Sequence, residues 1–168
     1  MKRLALAALS LFAALAAASA QEDFFKGKQV FLRVGSSAGS GYDLPARLTG
    51  QHLGKHIPGN PTVVVQNVPG AGGLQLMNAL YNVAPKDGTV IGAMTRLSPY
   101  EPLMGNPNAR YDAAKMRWLG TTASEVGVSM AWHTAPHRRA EDLFTHELVI
   151  GATVPGGDTY VYPYALNK

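Results

Sequence analysis

The sequence predicts an α/β fold built on a parallel sheet flanked by helices. Three observations carry that expectation. Apolar, β-branched runs alternate with amphipathic ones between residues 29 and 94, a glycine-rich segment follows each of the first two apolar runs, and proline–glycine breakers separate the units. Strand and helix patterns that alternate over so short a stretch favour parallel strands joined by right-handed crossovers.

The elements follow in order. QVFLRV at 29–34 reads as a buried strand and 44–56 as the helix behind it. Pro45 is tolerable only in a first helical turn, which puts the helix start at Tyr42 or Asp43. Pro58-Gly59-Asn60-Pro61 ends the unit, and 62–65 is a second β-branched strand. Leu76, Met77, Leu80 and Tyr81 mark one face of a second helix; Pro85-Lys86-Asp87-Gly88 makes a turn, and 90–94 a third strand. From 97 to 114 the chain is irregular, broken by Pro99, Pro102 and Pro107. Residues 118–122, 126–132 and 148–152 read as further strands, the latter two separated by a short helix at 139–144. The turn Pro155-Gly156-Gly157-Asp158-Thr159 then leads into a last helix reaching Lys168.

The glycine segments are Gly39-Ser40-Gly41-Tyr42-Asp43 and Pro69-Gly70-Ala71-Gly72-Gly73. A strand that stops at glycines and restarts as a helix leaves unpaired backbone N–H groups at the helix start. With the positive end of the helix dipole, these suit a carboxylate or phosphate. Ligands of parallel sheets bind beyond the carboxyl ends of the strands, where both segments fall. Asp43 would repel an anionic ligand, so it either caps the helix or accepts from a ligand hydroxyl or amine. Tyr42 either lines the pocket or packs on the sheet edge. Asp158 and Thr159 serve as helix caps or as contacts from a second lobe.

The first twenty residues have the three parts of a secretory signal peptide: basic Lys2 and Arg3, an apolar stretch over 4–17, and Ala18-Ser19-Ala20 before Gln21. Export to a bacterial periplasm with cleavage after Ala20 is expected. A lipoprotein anchor is disfavoured, because there is no cysteine to acylate. Removing the signal takes 15 basic residues to 13 against 11 acidic ones, so the net charge falls from +4 to +2 and the basic balance no longer argues for nucleic acid. The absence of cysteine excludes disulfides and thiolate metal sites, and a mature chain of about 148 residues must rely on an ordinary apolar core.

Gly35-Ser36-Ser37-Ala38-Gly39 has the spacing of a nucleophile elbow, which gives an exported serine hydrolase using Ser37 as the alternative. Against it, no earlier strand is expected to supply an oxyanion donor, and Gly39 to Gly41 prolong the turn before the helix. The dinucleotide fingerprint fails at its third glycine, where Leu44 and Gln75 stand, and neither loop is followed by a phosphate-binding lysine. His52 and His56 are spaced for zinc, but Leu53 replaces the glutamate of the hydrolytic motif, so a solvated helix face is preferred. His137-Arg138-Arg139 lacks the interleaved aromatics of a nucleic-acid platform. No cofactor, metal or catalytic residue is therefore expected.

VGSSAGSGYDLPARL at 34–48, VVVQNVPGAGG at 63–73 and APKDGTV at 84–90 resemble the substrate-binding receptors of tripartite tricarboxylate transporters, the Bug or TctC-type periplasmic proteins. Tyr111-Asp112, Trp118-Leu119-Gly120, Trp132-His133 and Gly151-Ala152-Thr153 extend the likeness. The resemblance implies a two-lobed, type II periplasmic-binding-protein-like fold that closes on a small organic carboxylate and hands it to membrane permease subunits. It implies ligand contacts from Gly39, Ser40, Gly41, Tyr42 and Asp43, from Pro69, Gly70, Ala71, Gly72 and Gly73, and from Gly156, Gly157, Asp158 and Thr159 facing them. Ser36, Ser37 and Ser40 stand where the family is richer in proline and glycine, and Val68 where arginine is common. Because family members run longer, the chain is expected to comprise a signal peptide at 1–20, a first lobe at 21–122 lacking its returning segment, and the beginning of a second lobe at 123–168. A truncated receptor without function is the further alternative.

Overall fold

The computed structural model describes residues 24–124, 126–153 and 157–167; the signal peptide and Gly156 lie outside them. Strand β1 (Gln29–Val34) is followed by helix α1 (Asp43–Leu53), β2 (Thr62–Asn67), α2 (Leu74–Asn82) and β3 (Val90–Ala93). All pairings are parallel, in the order β2-β1-β3. The expected α/β unit with a parallel sheet is present.

The central strand alternates in burial, with Val30, Leu32 and Val34 buried and Phe31 and Arg33 half-buried. Leu32 lies opposite Val65 on one side and Ile91 on the other, so these three side chains share a face. Helix α1 covers it through Tyr42 and Ala46, and a β-carbon added at Gly50 would lie 2.6 Å from a Val65 methyl. Gly92, next to Ile91, faces the other way, and a β-carbon there would run into Leu80 of α2. The two helices therefore cover opposite faces, as crossovers of one hand require when β2 and β3 flank β1 on opposite sides. On the α2 face Leu76, Leu80 and Ala84 pack with Val90, Met94 and Met116, while Leu74, Met77 and Tyr111 form an adjoining cluster.

Boundaries follow local chemistry. Helix α1 begins at Asp43 with Pro45 in its first turn, as expected, but its α-helical part ends at Leu53 and 54–56 tightens into a 3-10 turn. There a β-carbon at Gly54 would come within 2.5 Å of the Pro61 carbonyl. The expected short helix at 139–144 is a 3-10 segment, Ala140–Phe144, and the last helix, α3, spans Asp158–Leu166.

The expected strands at 118–122, 126–132 and 148–152 are not formed; the described residues there are irregular. Their apolar side chains stand in solvent, with Val126 90% and Met130 93% exposed. Alternating β-branched residues supply only a propensity, and a strand exists by pairing. No described segment pairs with them, and β2 and β3 have no further strand partner among the described residues.

Candidate functional site

In a parallel sheet of order β2-β1-β3, the chain leaves β1 towards one neighbour and reaches the other only after crossing over. A crevice therefore opens beyond the carboxyl ends of β1 and β3, where ligands of open α/β sheets bind. Three segments meet there: the loop from Gly35 to Tyr42 after β1, the second glycine loop before α2, and Thr95 to Ser98 after β3. The two glycine loops touch. A β-carbon on Gly35 would lie 3.2 Å from the Gly73 α-carbon, and one on Gly73 3.2 Å from the Ser98 hydroxyl.

The first loop is held by a polar cluster under it. Asp43, 1% exposed, accepts from the Gly39 amide at 2.7 Å, from Arg47 Nε at 2.8 Å and from Asn67 Nδ2 at 2.8 Å. Asn67 also donates to the Ser36 carbonyl at 3.0 Å and accepts from Arg47 Nη2 at 2.8 Å, which ties the end of β2 to the loop after β1. The Arg47 contact, then the Gly39 amide and Asn67, hold the Asp43 carboxyl at about 2. Both carboxylate oxygens are thus engaged within the chain. Asp43 starts the helix without capping it, since its carboxylate bonds back to the loop. Ser36 and Ser40 share a 2.7 Å hydroxyl bond, whereas a side chain at Gly41 would meet open space. Because Asp43 takes the Gly39 amide, Gly41 is the more open approach for a ligand.

The second loop has its turn built from left-handed residues. Ala71, Gly72 and Gly73 have φ of 45°, 64° and 98°. The first 3-10 bond runs from the Gly73 amide to the Gly70 carbonyl at 3.0 Å, so the amides of Ala71 and Gly72 precede it. The Gly72 carbonyl is clamped from β3. Thr95 Oγ1 donates to it at 3.0 Å, and because a hydroxyl has one proton, the 2.8 Å contact between Thr95 and Ser98 must have Ser98 as donor. The Tyr111 hydroxyl in turn donates to the Ser98 carbonyl. Burial, then the Glu101 charge, push the Tyr111 phenol up to about 12, which keeps it a donor.

The third segment reaches the first loop through one side chain. The Tyr42 ring packs with Leu32, Val34 and Ala46, and its hydroxyl donates to Asp158 Oδ2 at 2.9 Å; it both packs on the sheet and points a donor outward. Arg96 Nε donates to the same oxygen at 2.7 Å. Burial and then the Asp158 bond raise the Tyr42 pKa, and Asp158 raises that of Arg96. Asp158 Oδ1 is buried without a hydrogen-bond partner. Thr159 bonds to the Thr153 amide and hydroxyl at 3.1 and 3.0 Å, away from the loops, and Gly157 is the residue before α3.

Of the residues singled out from sequence, the structure therefore gathers the two glycine loops and Asp158; it does not bring Thr159 to them. Arg47, Asn67, Thr95, Arg96 and Ser98 complete the arrangement and were not singled out as site residues. Position alone, directly after the third strand of a parallel sheet, was the signal for Thr95, Arg96 and Ser98.

Ser37 is exposed, and no histidine hydrogen-bonds to it among the described residues. His52 and His56 are exposed at the point where α1 tightens, and no cluster of three metal-ligating side chains occurs among the described residues. Two open surface depressions are present, one of about 590 Å³ beside Asn78, Asn82 and Arg110 and one of about 260 Å³ beside Gln51 and Val63, bordered by Arg47. Comparison with protein-family models, with curated proteins and with solved structures gives no match.

Proposed function

We propose that this chain is a periplasmic solute-binding receptor of the tripartite tricarboxylate type, with a type II periplasmic-binding-protein-like architecture. It captures a small organic carboxylate without transforming it and delivers it to the membrane permease subunits of its transporter. The observation that carries this reading is the convergence of two glycine loops and the end of β3 at one crevice, with Gly41 and Ala71 exposed and open space beside Gly41. Backbone donors at loop-to-helix turns hold an anion without supplying a general base or nucleophile, which suits capture and release. Export is supported by the signal-peptide pattern at 1–20; among the described residues no helix is long and apolar enough to cross a membrane.

A nitrogen-edited nuclear magnetic resonance titration with succinate, malate and citrate tests the reading, since it detects weak as well as tight binding. The Gly41, Ala71 and Gly72 amides are expected to shift saturably with at least one of the three. If those amides stay unmoved by all three at millimolar concentration, the receptor reading fails.

A further inference from the structure

We propose that Arg96 and Tyr42 form the side-chain part of a carboxylate subsite in the crevice between β1 and β3, and that Asp158 occupies it as a placeholder which the ligand displaces. The proposal rests on the receptor reading above and adds to it a specific cationic subsite and a competitor built into the chain.

Four observations carry it. Tyr42 follows β1 and Arg96 follows β3, so the pair stands at the point where the strand order reverses. Both donate to one and the same carboxylate oxygen, Asp158 Oδ2, at 2.9 and 2.7 Å, which is how a phenol and a guanidinium grip a bound acid. The contact is incomplete, because Asp158 Oδ1 is buried with no partner, an arrangement that costs free energy. The pair is also partly wet, with the Arg96 side chain 38% and the Asp158 side chain 18% exposed, so the ion pair is weakly held.

A free carboxylate has no backbone tether. It can turn until both of its oxygens are engaged, as the tethered Asp158 carboxylate, with Oδ1 buried and unpartnered, does not. Its second acid group would reach towards the backbone of the glycine loops. Until then Asp158 keeps the arginine neutralised and joins α3 to the β1 loop. Ligand entry and release of α3 are then one exchange at one cation, in which binding is weakened by the population in which Asp158 is docked.

The test is the succinate titration on Asp158→Asn, which keeps the shape of the side chain and one carbonyl acceptor for Arg96 but removes the competing charge. Affinity is expected to rise about tenfold over the wild type, the scale of one charge-assisted hydrogen bond. Adding Arg96→Gln to Asp158→Asn should abolish the gain, and Tyr42→Phe should weaken binding several-fold. In the wild-type chain, which needs no variant to fold, saturating succinate should shift the Arg96 Nε–H and Asp158 amide resonances together. Equal or weaker binding by Asp158→Asn, or a gain that survives Arg96→Gln, overturns the placeholder while leaving the receptor reading intact. An Asp158 amide that stays still while the loop amides titrate does the same. If neither protein responds to succinate, malate or citrate, the receptor reading fails and this inference with it.

Discussion

The Tyr42 hydroxyl donates to the Asp158 carboxylate at 2.9 Å across 116 residues of sequence, and Arg96 joins them from the end of β3. This contact brings the third glycine turn to the first. Its partners come from three segments, so it forms only once β1 and β3 are side by side. Around it, the Asp43 cluster fixes one glycine loop and the Thr95–Ser98 pair fixes the other, which makes the geometry of each loop testable on its own.

Gly50→Ala should destabilise the fold. In an open helix the change is favourable by about 0.8–1 kcal/mol. Here the new methyl would sit 2.6 Å from a Val65 methyl, and overpacking of this kind costs about 1–3 kcal/mol, so the clash wins. Urea denaturation of Gly50→Ala, Val65→Ala and the double variant decides it. The double variant should lose less than the two single losses added together, whereas simple additivity would show that α1 does not press on β2 at this point.

Thr95→Val preserves shape but leaves the half-buried Gly72 carbonyl and the buried Ser98 hydroxyl short of a partner. The expected loss is about 1–3 kcal/mol. Amide exchange at Gly72 and Gly73 should accelerate by more than that at Val30 or Leu32. Uniform acceleration would show a global effect and no special grip on the second loop.

Gly72→Val addresses the same loop from the backbone. At φ 64° and ψ 20° a β-branched residue is strained by roughly 1–2 kcal/mol, before any ligand is considered. Gly72→Asn tolerates that conformation better and is the control. Carboxylate binding should fall in both variants, because any side chain crowds the approach, while stability falls mainly in the valine variant. Unchanged binding in Gly72→Asn would remove this loop from the site.

Asp43 sets an acid limit. Its folded-state pKa, lowered by Arg47, the Gly39 amide and Asn67, is about 2 against 3.8 for the free group. A depressed carboxylate contributes stability that is complete above the unfolded value and is lost as pH falls through the folded one. The urea midpoint should therefore drop between about pH 4 and pH 2, and the part of that drop due to Asp43 should vanish in Asp43→Asn. An identical pH profile for both proteins would show that the carboxylate is not held as described.

Trp132 is 74% exposed in a segment where Val126, Val128 and Met130 are also in solvent. Its fluorescence should be accessible to acrylamide, and the chain should self-associate with rising concentration in sedimentation experiments, since exposed apolar runs of this extent are association-prone. Val128→Lys together with Met130→Lys should reduce association without lowering the unfolding midpoint. A monomeric wild-type chain with a shielded Trp132 would contradict the exposure.

The unit from Gln29 to Ala93 was legible because its determinants are local. Alternating burial in 29–34, the helical spacing of Leu76, Met77 and Leu80, and the breakers at 58–61 and 85–88 each act within a few residues, and their order implies parallel strands. The glycine loops were legible for the same reason, as left-handed turns select glycine. The segments at 118–122, 126–132 and 148–152 misled because alternating apolar residues describe a surface able to pair, and pairing is decided by a neighbour that no local pattern contains.

By itself, then, the sequence determined the element order, the class of fold, the parallel direction of the strands and the two loop-to-helix turns. Only the tertiary structure decided what surrounds them. It assigned Asp43 to the Gly39 amide and Arg47 in place of a cap, Asn67 to the loop after β1, Thr95 to Gly72, and Arg96 with Tyr42 to Asp158. The physical reason is one of range. Backbone conformation and hydrophobic periodicity are written in neighbouring residues, whereas a polar side chain bonds to whichever partner the packed strands bring within about 3 Å.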